Sequence, residues 1–142
     1  MENEILVYMA DNDIAFLKTM QEEFAGNPEL KIRIFETGEK CLEQMWQEPD
    51  IVVLDYFLNS LEKDPINGLE ILKQIKRDYP ALPVIMLSAQ DNIEIAINCM
   101  KHKAFDYIVK SETAFIRLQK TITTILLFKK MGKTLSWYQE KL

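Results

Sequence analysis

The chain has 142 residues, 48% hydrophobic and 27% charged, with a formal net charge of −5. That length gives one domain able to bury a core of its own, and that balance of residues is globular. The acidic charge argues against direct nucleic-acid binding as the main activity. With no leader-like or bilayer-spanning apolar run, a cytoplasmic protein without membrane association is expected.

The elements read off in order. Residues 5–9 form an apolar run closing on Asp11-Asn12-Asp13, as a buried strand would. From Asn12 the pattern turns helical, with Phe16, Leu17, Met20 and Phe24 on one face, and Gly26-Asn27-Pro28 stops it. Residues 30–34 alternate strictly, with Lys31 and Arg33 on the open face, which suits an edge strand. Thr37-Gly38 then opens a short helix that turns Cys41, Leu42, Met45 and Trp46 inward. Ile51-Val52-Val53-Leu54 is a strand buried on both faces, and it ends abruptly in Asp55. A long loop leads to Asn67, an N-cap for a helix with Leu69, Leu72 and Ile75 inward. Val84-Ile85-Met86-Leu87 is a further buried strand, ending at Ser88. Asp91-Asn92-Ile93-Glu94 has capping-box spacing and precedes a helix predicted to bury Ile93, Ala96, Ile97 and Met100. Residues 107–109 make a last strand ending at Lys110. A final helix begins near Thr113, with Phe115, Leu118, Ile122, Ile125 and Leu126 on one stripe.

Five βα units in series predict a parallel sheet with right-handed crossovers and helices on both faces. The alternating second strand belongs at an edge. The order 2-1-3-4-5, that of the flavodoxin-like doubly wound (βα)5 fold, puts it there and makes the third strand central. The switch point then lies between the first and third strands, where Asp11 and Asp55 meet. Cys41 and Cys99 are far apart, and His102 is the sole histidine. Neither a disulfide framework nor a zinc site is indicated.

Acids at two neighbouring strand ends, a hydroxyl at a third and a lysine at a fourth define one chemical task. Clustered carboxylates suit Mg²⁺, which keeps several waters and binds one or two carboxylates plus a phosphate. Asp55 can attack phosphorus, with Lys110 and metal neutralising the equatorial oxygens and Ser88 hydrogen-bonding the installed group. Each residue also has a plain structural role open to it. Asp55 could end its strand, Ser88 a turn, and Lys110 could be a solvated cation.

The ordered motifs M-A-D-N-D, V-V-L-D, V-I-M-L-S-A and D-Y-I-V-K resemble the receiver domain of two-component response regulators. The resemblance runs from residue 4 to about residue 127. It implies a phosphoacceptor at Asp55, an acidic metal pocket of Asp11, Asp13 and Asp55 with the Phe57 backbone carbonyl, and Mg²⁺ as cofactor. Lys110 is the family's lysine, Ser88 the switch hydroxyl and Tyr107 the switch aromatic. The implied partner is a sensor histidine kinase or phosphotransfer protein. Enzymatic activity is limited to self-phosphorylation from phosphodonors and slow autodephosphorylation, not metabolic turnover. Phosphorylation would repack the last two helices and last strand to control a partner.

Departures from the family pattern accompany the match. Asn12 stands where most receivers carry a second acid, which weakens the metal site. Asp13, one residue later, either substitutes or caps the first helix. The loop over residues 56–67 is longer than usual, and Ser111 follows Lys110 where the family has a proline. A receiver-like binding module that does not turn over phosphate is therefore the alternative. A haloacid-dehalogenase-like phosphatase fits poorly, because Asp55-Tyr56-Phe57 lacks a second acid two residues on. A flavin carrier fits less well, because the first turn lacks a phosphate-binding loop.

Residues 1–130 are expected to form the receiver, and residues 131–142 a short tail with no output domain visible. Ile116, Leu127 and Phe128 lie outside the inward stripe of the last helix. They predict either a homodimer or partner contact through that helix, or a tail that folds back over them. Trp137 and Tyr138 are a candidate interaction patch in that tail.

Overall fold

The computed structural model describes residues 4–58 and 67–141, with residues 134–138 described by backbone alone. Five strands, β1 (Ile5–Ala10), β2 (Leu30–Phe35), β3 (Ile51–Asp55), β4 (Val84–Ser88) and β5 (Asp106–Val109), alternate with five helices. The helices are α1 (Ile14–Phe24), α2 (Gly38–Glu43), α3 (Gly68–Asp78), α4 (Ile93–Lys101) and α5 (Ala114–Lys141). The sheet is parallel throughout in the order β2-β1-β3-β4-β5, as the sequence pattern predicts. Every residue of β3 and of β4 is buried, since helices cover both faces.

Alternation along the strands divides the core into two layers. Val7, Met9, Val53, Ile85, Leu87 and Ile108 meet α1 and α5 through Leu17, Phe24, Leu118 and Ile122. On the other face Tyr8, Val52, Leu54, Val84 and Met86 meet α2, α3 and α4 through Cys41, Leu72, Ile75 and Cys99. Helix starts are set by side-chain caps: Asp13 accepts from the Phe16 amide, Thr37 from that of Lys40, and Asn67 from that of Glu70.

Four expectations need correction. The cap of α4 is Asn92, which accepts from the amides of Glu94 and Ile95, and not Asp91. That cap phases the helix so that Cys99 is buried and Ile95 packs on the core, while Ile93, Ile97 and Met100 are exposed. Periodicity could not choose between these faces because both are apolar. Trp46 is also exposed, at 72%. The chain leaves α2 at Glu43 and makes a one-turn 3-10 helix at Met45–Gln47, which changes the angular phase before Trp46. Finally, the alternative in which the tail folds back over the last helix does not hold, because α5 continues through Lys141. The side chains of the candidate patch at Trp137 and Tyr138, and the added loop length across 59–66, lie outside the described residues.

Candidate functional site: a buried acid pair and lysine at the strand ends

Strand register builds the site. Ala10 pairs with Leu54, so the next residues, Asp11 and Asp55, lie side by side at the C-terminal edge of the sheet. Ser88 pairs with Val109, which brings Lys110 to the same edge from the far side. Hydrogen bonds fix these ends: the Asp11 amide donates to the Phe35 carbonyl at 3.0 Å, and the Lys110 amide to the Ser88 carbonyl at 2.7 Å. The amide of Tyr56 donates to the Leu87 carbonyl at 2.7 Å, which holds the chain just beyond Asp55.

Asp11, Asp55 and Ser88 are buried. The Lys110 ammonium forms an ion pair with Asp11 Oδ2 and lies 3.4 Å from Asp55 Oδ2. It also sits 4.7 Å from the centroid of the Phe16 ring, whose face offers the cation a second attraction. Asp11 Oδ1 accepts from the Asp13 amide at 2.9 Å, and Asp55 Oδ1 from the Phe57 amide at 3.3 Å. One ammonium between two buried carboxylates leaves a net negative charge out of water. Burial, followed by the charge of Asp11, pushes the Asp55 carboxyl up to about 6 against the pull of Lys110 and the Phe57 amide.

Ser88 and Tyr107, the residues expected to act as the switch, are joined through the loop after β4. Ser88 Oγ accepts from the Gln90 amide at 3.1 Å, and Tyr107 Oη donates to the Gln90 carbonyl at 2.6 Å. Gln90 thus links the Ser88 and Tyr107 side chains through its backbone, a placement that its own residue type did not signal. Phe16 escaped notice for a similar reason, since its helical spacing marks it as core. Gly68 is the third such residue: a Cβ there would stand 2.0 Å from the Asp55 carbonyl oxygen.

Asn12 and Asp13 follow Asp11 at the rim of the site, their side chains outside the buried pair. Both are exposed, and of the two roles open to Asp13 the structure shows the cap of α1. Among the described residues no group of three His, Cys, Asp or Glu side chains converges. The Asp11–Asp55 pair still suits a hard divalent cation. Asp11 Oδ2 is buried with no hydrogen-bond donor among the described residues beyond its ammonium contact, and the two like charges oppose each other. A cation held by two carboxylates completes its shell with water and phosphoryl oxygens. Phe57 is engaged through its amide, and Ser111 begins a turn in which its Oγ accepts from the Thr113 amide at 3.3 Å.

A doubly wound parallel sheet with a buried aspartate pair at its switch point and a lysine closing over it has its candidate site where open α/β sheets bind ligands. Residues 7–123 match the response regulator receiver domain family, and the chain belongs to that family. It is 31% identical over 106 residues to the DNA-binding transcriptional regulator NtrC of Escherichia coli K12, covering 74% of this chain and 21% of that protein. It is 28% identical over 124 residues to the transcriptional regulatory protein ZraR of the same organism, covering 87% of this chain and 27% of ZraR. The chain thus spans about a quarter or less of the length of these relatives. NtrX from Brucella abortus superposes with a TM-score of 0.80 at 24% identity, over 96% of this chain and 30% of that one. A receiver domain from Clostridium thermocellum gives 0.76 at 23% identity, over 89% and 98%. No described helix is long and apolar enough to cross a membrane.

Proposed function

We propose that this receiver domain accepts a phosphoryl group on Asp55 from a sensor histidine kinase or phosphotransfer protein, and that the phosphorylated form controls a partner. The observation that carries this is the buried Asp55–Lys110–Asp11 cluster at the end of the central strand. A bond forms between an Asp55 carboxylate oxygen and phosphorus as the phosphorus–nitrogen bond of the donor phosphohistidine breaks, and the departing imidazole takes up a proton. Lys110 neutralises charge on the equatorial oxygens, and Asp11 and Asp55 are the residues to hold Mg²⁺. A metal bound there would supply charge neutralisation to the transferring group.

Signalling then runs through Ser88, Gln90 and Tyr107. A phosphoryl oxygen drawing in the Ser88 hydroxyl pulls on the Gln90 amide that now bonds it, and through the Gln90 carbonyl on Tyr107. Tyr107 lies on β5 beside α4, whose exposed Ile93, Ile97 and Met100 form an apolar surface for a partner. Acetyl phosphate with Mg²⁺ is expected to add one acid-labile phosphoryl group, visible as a mass increase, and Asp55→Asn to abolish it. Labelling that persists in that variant would refute the assignment.

A second reading is favoured by Asn12 and Asp13, which leave only two carboxylates in the pocket. In it the domain binds its partner without turning over phosphate. Absence of labelling in the wild-type chain, with partner binding intact, would select it.

A further inference from the structure

A second set of charges stands at the other end of the sheet, where β4 and β5 begin. A cavity of about 500 Å³ opens there between α3, the turn from α4 into β5, and α5. That volume is in the range of small-molecule sites. Phe105, Ile125 and Phe128 make its apolar floor, with the rings of Phe105 and Phe128 edge to face at 6.0 Å between centroids. Lys76, Lys103 and Lys129 stand around it, and among the described residues no carboxylate lines it.

The three lysines are differently placed. Lys129 is 3.5 Å from an Asp50 carboxylate oxygen, and is thereby partly neutralised. Lys76 is half-buried and donates to the Leu82 carbonyl at 2.7 Å, which satisfies a hydrogen bond without cancelling charge. Burial, and then the like charge of Lys103, pull the Lys76 ammonium below its ordinary range. Two ammoniums therefore face a common space with no anion between them among the described residues.

Lys103 and Glu48 are the two non-glycine residues with positive φ among the described residues. The φ of Lys103 is 71°, in the left-handed region. The turn is a helix stop of Schellman form: the Lys103 amide donates to the Met100 carbonyl and the Ala104 amide to the Cys99 carbonyl, each at 3.1 Å. Glycine serves that position at no steric cost, whereas a side chain there is strained. A lysine kept at a glycine position, with its ammonium on an apolar cavity, points to a use for the charge.

We propose that this cavity is a binding site for a small aromatic organic anion, whose charged group is held by Lys103 and Lys76 and whose ring packs on Phe105 and Phe128. The site is separate from the Asp55 pocket and does not depend on phosphoryl transfer. Because α5 supplies Phe128 and Lys129, an occupant ties that helix to the α4–β5 turn and to α3.

The test uses the whole chain and naphthalene-1-sulfonate, which has no transferable phosphoryl group, with inorganic sulfate and 1-naphthol as controls. Followed by amide NMR shifts, the sulfonate is expected to saturate a site centred on residues 103–105 and 125–129, and to bind at least about tenfold more tightly than either control. Lys103→Gly removes the ammonium while relieving the backbone. It is expected to weaken binding by about tenfold without lowering Tm. Lys76→Gln is expected to weaken it as well. Unchanged affinity in Lys103→Gly, sulfate or naphthol binding as tightly as the sulfonate, shifts centred elsewhere, or no saturable shift would each overturn the proposal.

Discussion

Gly68 packs directly on the backbone of Asp55: a methyl group at Gly68 would stand 2.0 Å from the Asp55 carbonyl oxygen and 2.8 Å from the Tyr56 Cα. The Gly68 amide meanwhile donates to the Tyr56 carbonyl at 3.0 Å. The first turn of α3 is therefore braced against the strand end that carries the acid. Gly68→Ala must push the two apart, and backbone cannot yield as a flexible side chain does. A loss of about 1–3 kcal/mol is expected from such overpacking. Phosphoryl labelling of Asp55 is expected to slow as well. Thermal melting and the rate of labelling by acetyl phosphate check both effects, and an unaltered Tm would show that the junction can open freely.

The Asp55 carboxyl, pushed up to about 6 from 3.8, sets a pH dependence. Between those values the folded chain holds a proton that the unfolded chain has released, so stability falls as pH rises through this window. Above pH 6 the folded state carries the full burden of the buried charge. Asp55→Asn removes that charge, so the variant is expected to melt higher than the wild type at pH 7.5. The gap is expected to close as pH falls towards 5. Melting curves across this range, without divalent cations, provide the check; a variant less stable at pH 7.5 would mean that Lys110 outweighs burial and Asp11.

Metal affinity follows from the same two carboxylates. Asp11→Ala removes one of them and is expected to weaken Mg²⁺ binding by at least about tenfold, or ~1.4 kcal/mol. Asn12→Asp adds a carboxylate near the pocket and is expected to strengthen it by a similar factor. Calorimetric titration with MgCl₂ measures both. If neither substitution moves the affinity, the acids at this strand end serve the ion pair and the helix cap alone.

The exposed side of α5 predicts self-association. Ile116, Leu127 and Met131 are each more than half exposed. At 3.6 residues per turn they fall within roughly 60° of one another, nearly opposite Leu118, Ile122 and Ile125. A stripe of this kind on a helix that runs on to Lys141 suits contact with a second copy of the chain. Sedimentation with and without beryllofluoride is expected to show a dimer favoured by the phosphoryl mimic. The double substitution Leu127→Glu with Met131→Glu is expected to abolish it. A monomer under both conditions would leave this face to a different partner.

The sequence by itself determined the strand order and the family, and it marked Asp11, Asp55, Ser88 and Lys110 as the polar residues at the strand ends. Hydrophobic period and strand-end chemistry are local signals, and Asp11, Asp55, Ser88 and Lys110 each close an apolar run whose type is unmistakable. Helix phase was less legible. Ile93, Ile97 and Met100 lie outward because the Asn92 cap and the β4–β5 surface select the opposite stripe, and a helix with apolar residues on both sides does not announce which side is covered. Trp46 turned outward for want of any signal that the helix would tighten into a 3-10 turn at Met45. Only the tertiary structure brought Phe16 over Lys110, Gly68 against Asp55, and Lys76 to face Lys103. These are contacts between residues far apart in the chain, and they arise because strand register and helix docking fix distances that no local pattern encodes.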